Sequence, residues 1–292
     1  MDWEREWERL NPYQREAVTD ENKACLVSAN VGSGKTTVLT AKILYLHEVK
    51  HVSYRDMVVL TFTNKAASEI RERLVRADPS VTPEETENFG TFHGVALGLL
   101  KKRLPVETLG YTKDFMVMEP DEELELAHAL IAEKKLKIKY KNRLRKRLAE
   151  AERVSAAGDA GVAGSQDDLE ILAGLLTEEK LRRNKMTFSD LMKNACLLMA
   201  KEEGEEERSA DIQWVIVDEV QDCDGKQLEF IDCFMAEGAK LFAVGDPNQV
   251  IYSWRGTGPN MFFLIKHRFG AKELTLPVNY RSDEVILEAA NR

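Results

Sequence analysis

Cysteine pairs and long apolar runs are both missing from this sequence, and each absence excludes a class of protein. The four cysteines, at positions 25, 196, 223 and 233, form no CxxC pair, which argues against a cysteine-based zinc site or a disulfide framework. No stretch approaches the ~18 consecutive apolar residues that a membrane helix needs. The first ten residues, MDWEREWERL, are charged and lack the apolar region of a secretion signal. A protein of the reducing cytoplasm, without a membrane partner, fits best.

An excess of positive charge is also missing, because the net charge of the chain is −9. A surface coated with positive charge for nucleic acid is therefore not expected, although binding depends on local charge rather than on the sum. Residues 133–153 carry ten Lys or Arg and three Glu, a local net charge of +7. This run fits either a solvated helix face or a helix that lies along a phosphate backbone, and the sequence leaves both open.

Short apolar runs bounded by turn residues indicate buried strands. They are ACLVSA at 24–29, MVVLTF at 57–62, WVIVDE at 214–219, KLFAVGD at 240–246 and ELTLP at 273–277. Helical patterns follow three of them, at Lys35–Val49, Asn64–Ala77 and Lys226–Met235. Strands that are apolar on both faces and alternate with helices predict an α/β fold with a parallel sheet.

The pattern changes between residues 105 and 186, where the sequence is helical and charged and is interrupted by the small-residue stretch SAAGDAGVAGS at 155–165. We interpret 105–186 as a mainly helical subdomain inserted into the α/β domain. The α/β domain is then discontinuous, with residues 1–104 and 187–278. Residues 279–292 fit the start of a further domain.

The segment ANVGSGKTT at 29–37 lies between a predicted strand and a predicted helix, which is the context of a phosphate-binding loop. Backbone N–H groups around Gly32–Gly34 can point at phosphate oxygens. Lys35 is placed to reach the β and γ phosphates of ATP, and the Thr36 hydroxyl to bind Mg²⁺. Ala29 stands where the usual pattern has its first glycine.

An acidic pair, Asp218 and Glu219, ends another predicted strand within VDEVQD at 217–222. An Asp-Glu pair alone is more often an exposed turn. In a chain with a phosphate loop, Asp218 is better placed to hold Mg²⁺, and Glu219 to accept a proton from the attacking water.

Two further segments place aromatic and polar residues at the carboxyl ends of predicted strands, where open α/β sheets bind ligands. They are TFTNKAASEI at 61–70 and GDPNQVIYSWRG at 245–256. Rings beside Arg and Asn suit bases that stack and phosphates that meet polar groups. A core aromatic is the alternative for Trp254.

Taken in order, these segments resemble the motifs of the superfamily 1A DNA helicases of the UvrD/Rep/PcrA type, whose ATP-binding domain is RecA-like. The resemblance covers most of the chain outside 105–186. Its motifs are LNPYQREAV at 10–18 (Q), ANVGSGKTT at 29–37 (I), LTFTNKAASEIRERL at 60–74 (Ia), TFHG at 91–94 (Ib), TFSDLM at 187–192, VDEVQD at 217–222 (II), GDPNQVIYSWRG at 245–256 (III) and LPVNYRS at 276–282 (IV). Nothing similar to the later motifs V and VI, which belong to a second motor domain, is found.

The resemblance implies an ATP site in which Gln14 reads adenine and Tyr280 stacks on it. Arg281 would meet the γ phosphate, and Gln249 would sense it and link it to DNA. The implied ATP contacts are Gln14, Ala29, Asn30, Val31, Gly32, Ser33, Gly34, Lys35, Thr36, Thr37, Tyr280 and Arg281. Asn30 stands where the family commonly has Gly, and the loop tolerates it because Asn adopts left-handed geometry more readily than most residues. Thr37 stands where several members have an Arg that packs on adenine, which puts the adenine clamp in doubt.

The partner that the resemblance implies is single-stranded DNA or a single-strand/duplex junction, along which family members step 3′ to 5′. Trp254 would stack on a base, and Phe62 would line a base pocket. The implied DNA contacts are Phe62, Thr63, Asn64, His93, Tyr252, Trp254 and Arg255. Repair, replication restart, plasmid replication and recombination all use such motors.

Two functions are compatible with these motifs. The first is the ATP-binding motor domain of an ATP-dependent DNA helicase, the chain being an N-terminal fragment that lacks its second motor domain and is weakly active or inactive alone. The second is a natural short module that binds single-stranded DNA under ATP control without unwinding it. A small-molecule kinase would share the phosphate loop but explains neither Trp254 nor the segment 276–282.

Overall fold

The computed structural model of the chain describes residues 3–30, 32–138, 143–144, 146–148, 168–201, 212–247 and 261–280. Two compact units make up the chain. The first unit combines Met1–Leu99 with Ala195–Arg292, and the second unit is Leu100–Asn194. Each unit is described by itself below.

The first unit is built on a six-stranded sheet in which every strand pairs in parallel with its neighbours. Its order is β3-β2-β6-β7-β1-β8. The strands are β1 (Ala24–Ala29), β2 (Met57–Thr61), β3 (Phe89–Thr91), β6 (Trp214–Val217), β7 (Lys240–Gly245) and β8 (Lys272–Leu276), while β4 (Met116–Val117) and β5 (Lys185–Met186) pair in the second unit. The carboxyl ends of the six strands therefore share one edge, which we call the carboxyl edge; their other ends form the amino edge.

The helices begin at residues that satisfy their first backbone N–H groups. Thr63 caps one helix by accepting from the Ala66 N–H at 3.1 Å, and Asp224 caps another in a reciprocal pair with Gln227. The described helices are α1 (Trp3–Arg9), α2 (Pro12–Thr19), α3 (Lys35–Glu48), α4 (Asn64–Ala77), α5 (Phe92–Lys102), α6 (Pro120–Glu133), α7 (Asp168–Arg182), α8 (Phe188–Lys201), α9 (Gly225–Ala236) and α10 (Met261–Phe269). None of these helices has the length and apolarity needed to cross a membrane.

The core of the first unit lies between α3 and the sheet, where Leu39 and Ile43 pack with strand residues that are fully buried. One charged side chain, Lys42, is buried among them. Its ammonium group donates to the Val18 carbonyl at 3.0 Å and lies 4.3 Å from the ring centroid of Trp214. Hydrogen bonds and an aromatic face thus compensate part of the lost hydration of this charge.

The second unit has a separate apolar core, formed by leucines on α6 and α7 such as Leu126 and Leu172. It also contains a buried lysine, Lys180, whose ammonium lies 2.7 Å from Asp190 and 3.6 Å from Glu123. Asp190 additionally accepts from the Thr187 backbone N–H at 2.9 Å, so the segment TFSDLM starts α8 with a capping arrangement.

The predicted α/β fold with a parallel sheet is confirmed. All five predicted strands are present, and the helices predicted after β1, β2 and β6 lie at α3, α4 and α9. Strand β3 was not predicted, because it has only three residues and includes a glycine. The two-residue strands β4 and β5 were not predicted either, because such short pairs have no alternation to detect.

Candidate nucleotide-binding site

The glycines of the segment 29–37 give it the backbone shape of a phosphate-binding loop. Gly32 and Gly34 have φ values of 76° and 85°, in the left-handed region that side chains disfavour. Gly34 is also the N-cap of α3 and brings no side-chain oxygen to the first turn of the helix. The first N–H groups of α3, at the positive end of its dipole, therefore suit an anionic ligand.

The buried side chain of Gln14 fixes this loop to α2. Its amide donates to the Ser33 carbonyl at 3.1 Å and accepts from the Asn11 backbone N–H at 3.0 Å. A Cβ atom added at Gly34 would lie 2.8 Å from the Gln14 amide nitrogen. A side chain at Gly34 is thus excluded by both backbone shape and space.

Lys35 and Glu219 contact each other at the carboxyl edge, because Lys35 follows β1, Glu219 follows β6, and both strands end at this edge. The Lys35 ammonium lies 2.6 Å from the Glu219 carboxylate, with the lysine side chain 13% and the glutamate side chain 38% exposed. An ammonium group has three donors, so this contact leaves Lys35 able to bind a phosphate as well. Glu219 itself has a left-handed backbone, with φ of 49°.

Asp218 is the buried carboxylate of the site. Its backbone N–H donates to the Leu60 carbonyl at 2.9 Å, and its side chain accepts from the Glu219 backbone N–H at 3.0 Å. Burial, with a further contribution from the neighbouring Glu219 charge, raises the pKa of Asp218 to about 6. A buried carboxylate with this electrostatic cost fits a site for a divalent cation, which favours the ionised form.

Gln221 connects the end of β6 to the end of β7. Its amide donates to the Glu219 carboxylate at 2.9 Å and accepts from the Asp246 backbone N–H at 3.0 Å. Gln221 is 4% exposed, so these contacts are shielded from water. A fixed chain of contacts therefore runs from Lys35 through Glu219 and Gln221 to the residue after β7.

Tyr280 lies beside the phosphate loop, although it is 269 positions away from Asn11 in the sequence. Its backbone N–H donates to the Gly32 carbonyl at 2.8 Å, and its hydroxyl accepts from the Asn11 side-chain amide at 2.6 Å. The residue is 60% exposed. An exposed ring next to the loop is available to stack on a planar ligand.

The predicted DNA contacts on the described residues follow the carboxyl ends of β2 and β3. The half-buried ring of Phe62 packs on Phe92, with 5.6 Å between ring centroids. Thr63 and Asn64 are exposed at the start of α4. His93, in α5, has a pKa lowered by burial.

Several predicted site residues lie outside the described residues. They are Val31, Gln249, Tyr252, Trp254, Arg255 and Arg281, together with much of the basic run 133–153. The described residues of the predicted ATP site lie at the carboxyl edge: Gln14, Ala29, Asn30, Gly32, Ser33, Gly34, Lys35, Thr36, Thr37, Asp218, Glu219 and Tyr280.

Sequence reasoning missed two residues of the site, Asn11 and Gln221. Asn11 was identifiable, because Asn followed three residues later by Gln is the pattern of a capping box, which α2 contains. Gln221 carries no such signal, since its two partners are recognised only when β6 and β7 are placed side by side.

Comparison with known proteins identifies relatives for almost the whole chain. Residues 10–270 match the UvrD/REP helicase N-terminal domain. The chain is 32% identical to the ATP-dependent DNA helicase Rep of Salmonella typhimurium, with 97% of this chain and 43% of the relative covered. It is 31% identical to the ATP-dependent DNA helicase PcrA of Bacillus subtilis, and the match covers 39% of that protein. It is also 30% identical to a probable DNA helicase of Mycoplasma pneumoniae, and this match covers 55% of the relative.

The chain therefore spans about half the length of these relatives or less. The match includes both halves of the first unit and all of the second. Together with the parallel sheet and the phosphate loop, it places this chain in the UvrD/REP helicase family, as its N-terminal domain.

Proposed function

We propose that this chain is the ATP-binding motor part of an ATP-dependent DNA helicase or translocase that acts on single-stranded DNA in the 3′-to-5′ direction. The contact that carries the proposal joins Lys35 of the phosphate loop to Glu219 at 2.6 Å. It unites the phosphate-binding and hydrolytic groups in one site. In this proposal the first unit is the ATP-binding domain and the second is the inserted helical subdomain.

Each group has a distinct part in the proposed hydrolysis. Lys35 and the first N–H groups of α3 would bind phosphate oxygens, and Thr36 with Asp218 would hold Mg²⁺. The ion, when bound, neutralises charge on the phosphates. Glu219 orients water and takes up its proton. Its contact with Gln221 holds the carboxylate in place for this role.

The connection from Glu219 to Asp246 supports coupling between ATP and DNA. Gln221 bonds the Glu219 side chain and the Asp246 backbone at once. Asp246 directly precedes the segment that contains Gln249 and Trp254, which lies outside the described residues. A ligand that shifts Glu219 would thus act on the backbone that leads to the proposed DNA contacts.

The proposal is tested by measuring DNA binding with and without nucleotide. Fluorescence anisotropy of labelled oligothymidine should show an affinity that changes when a non-hydrolysable ATP analogue and Mg²⁺ are added. Thermodynamic linkage requires oligothymidine to change the affinity for the analogue by the same factor. Gln221→Leu should retain nucleotide binding and lose most of the coupling, because the link to Asp246 is broken.

Gln213→Leu is the matched control, since Gln213 is an exposed glutamine that donates to Asp56 at 3.1 Å, away from this connection. It should preserve the coupling. An affinity for oligothymidine that is the same with and without nucleotide in the unaltered chain would contradict the proposal. Equal coupling in the Gln221→Leu and Gln213→Leu variants would contradict the route through Gln221.

A further inference from the structure

A cluster of potential metal ligands lies at the amino edge of the sheet, at the end of α3 that faces away from the phosphate loop. One atom each from His47, Glu48 and Asp78 lie within 4.8 Å of one another. His47 and Glu48 are the last residues of α3, and Asp78 is the C-cap of α4. With α3 14 residues long, the cluster is about 20 Å from the phosphate loop. It is thus separate from the nucleotide site.

His47 is oriented as a metal-binding histidine is. Its Nδ1 lies 3.1 Å from the Val52 carbonyl, and a hydrogen bond there requires the proton on Nδ1. The lone pair is then on Nε2. Metal-binding histidines commonly donate their other ring N–H to a backbone carbonyl in this way, which fixes both tautomer and ring plane. Tyr54 holds the ring further, by stacking on it with 4.0 Å between centroids.

The two carboxylates combine burial with unused acceptor capacity. Asp78 is 3% exposed, and its Oδ1 accepts from the backbone N–H and the hydroxyl of Ser80 at 3.0 and 2.6 Å. Glu48 has a buried oxygen, Oε1, that has no hydrogen-bond partner among the described residues. A buried carboxylate oxygen without a donor is costly unless a cation compensates it.

An independent observation comes from Tyr54, whose side chain is 2% exposed. Its hydroxyl is buried and makes no hydrogen bond of ordinary geometry within the described part of the chain. Because the Tyr54 ring stacks on His47, this buried hydroxyl belongs to the surroundings of the same three potential ligands.

The backbone adds to the attraction for a cation. Both α3 and α4 end at this cluster, and the carboxyl end of a helix carries a partial negative charge. Two helix ends and two carboxylates thus surround a single neutral imidazole lone pair. The combination favours a positively charged ligand that accepts nitrogen and oxygen donors.

We propose that His47, Glu48 and Asp78 form a binding site for a divalent transition-metal ion of the Zn²⁺ class, with the Tyr54 hydroxyl beside it. One nitrogen and two carboxylate oxygens are ligands that Zn²⁺ accepts, and a fourth position is left for water. Zinc–ligand distances of ~2.0–2.1 Å put tetrahedral ligand atoms roughly 3.4 Å apart. The three ligand atoms already lie within 4.8 Å of one another, so small side-chain rotations bring them to that spacing.

The test uses the full chain with the Asp218→Asn substitution as background, so that the proposed Mg²⁺ site does not compete for the metal. Binding of Zn²⁺ is measured by competition with a chromophoric chelator. We expect one high-affinity site, which is weakened at least tenfold by His47→Asn and by Glu48→Gln. His51→Asn is the matched control, because His51 is exposed and its left-handed backbone, with φ of 57°, tolerates asparagine. It should bind Zn²⁺ like the background protein.

Cobalt substitution identifies the ligand atoms. Co²⁺ bound at the cluster should show visible bands that disappear in His47→Asn, without the intense sulfur-to-metal charge-transfer band that cysteine ligation produces. A charge-transfer band would assign the metal to cysteines and overturn the proposal. Equal Zn²⁺ affinity in His47→Asn and His51→Asn would overturn it too.

A thermal-unfolding measurement covers the case in which one variant folds poorly. Zn²⁺ should raise the unfolding temperature of the background protein, and this increase should be absent in Glu48→Gln, which retains the shape of the side chain. An increase of the same size in Glu48→Gln would contradict the site, as would no increase in the background protein.

Discussion

The two ends of helix α3 differ in how their polar groups are satisfied. At the phosphate-loop end, Lys35 contacts Glu219 and the Ser33 carbonyl accepts from Gln14. At the other end, the Glu48 Oε1 atom and the Tyr54 hydroxyl are buried without hydrogen bonds among the described residues. A connected network holds its members in one geometry, whereas unpartnered groups store a desolvation cost that a ligand can relieve. The same helix therefore joins a preorganised site to one that gains stability when it is filled.

The largest expected effect on ligand binding is at the phosphate-loop end. Lys35→Ala removes the cation that faces the phosphates and leaves the Glu219 carboxylate uncompensated next to them. We expect the affinity for Mg²⁺-ATP, measured by calorimetry, to fall by about 100-fold, or about 2.7 kcal/mol. The control is Lys65→Ala, which alters an exposed lysine on α4 and should leave the affinity unchanged. Similar affinities of both variants for Mg²⁺-ATP would show that Lys35 does not bind the phosphates.

The middle of α3 should respond to pH. Burial lowers the pKa of Lys42 to about 8, from 10.5 in the unfolded chain. Between pH 8 and pH 10.5, Lys42 is protonated in the unfolded chain and deprotonated in the folded chain. The free energy of unfolding therefore rises with pH in this range. In urea denaturation, the stability of the unaltered chain relative to Lys42→Met should increase by roughly 3 kcal/mol from pH 7 to pH 11. A difference that does not change with pH would show that Lys42 titrates normally.

Asp218→Asn separates the function of the phosphate-loop end from its stability. Because the pKa of Asp218 is raised to about 6, the folded state holds a proton between pH 3.8 and 6 that the unfolded state has lost. This group's contribution to stability is therefore present at low pH and is lost as the pH rises through 6. Without nucleotide, Asp218→Asn should be more stable than the unaltered chain by roughly 1–3 kcal/mol at pH 8.

The gain from Asp218→Asn should vanish near pH 4, which urea denaturation across this range would reveal. Binding of Mg²⁺-ATP should be weakened in the same variant at pH 8. If Asp218→Asn were less stable than the unaltered chain at pH 8, the ionised Asp218 carboxylate would stabilise the fold. This result would contradict the raised pKa of Asp218.

The smallest effect is expected at the other end of α3. Tyr54→Phe removes a buried hydroxyl that lacks a hydrogen bond, so without added metal the free energy of unfolding should rise by about 1 kcal/mol. Tyr45→Phe is the matched control, because the Tyr45 hydroxyl donates to Glu21 at 3.1 Å. It should be neutral or destabilising by about 1 kcal/mol. A loss of stability in Tyr54→Phe comparable to that in Tyr45→Phe would mean that the Tyr54 hydroxyl is already satisfied.

The fold was largely predictable because its strands are continuous apolar runs, a pattern that only a sheet covered on both faces requires. The buried Lys42 was not predictable. Its compensation comes from the Val18 carbonyl and the Trp214 ring, which lie far away in the sequence. A lysine in an apolar helix has the same local pattern whether it is buried or directed at solvent.

The nucleotide site was predictable where chemistry depends on spacing along one segment, as in the loop around Lys35. The cluster at the other end of α3 has no such spacing, since about 30 residues separate Glu48 from Asp78. Their proximity results from two helices ending together, which no local pattern encodes. Lys35 and Glu219 are likewise far apart in sequence, but each was identifiable from its own motif.

The close contact between Gly245 and Gln221 has a consequence for how this site can change over evolution. A Cβ atom at Gly245 would lie 2.3 Å from the Gln221 side-chain oxygen. Residue 245 can therefore gain a side chain only if residue 221 becomes shorter or turns away, and that change would release Asp246. A side chain at position 245 should thus occur in related proteins only together with a change at position 221.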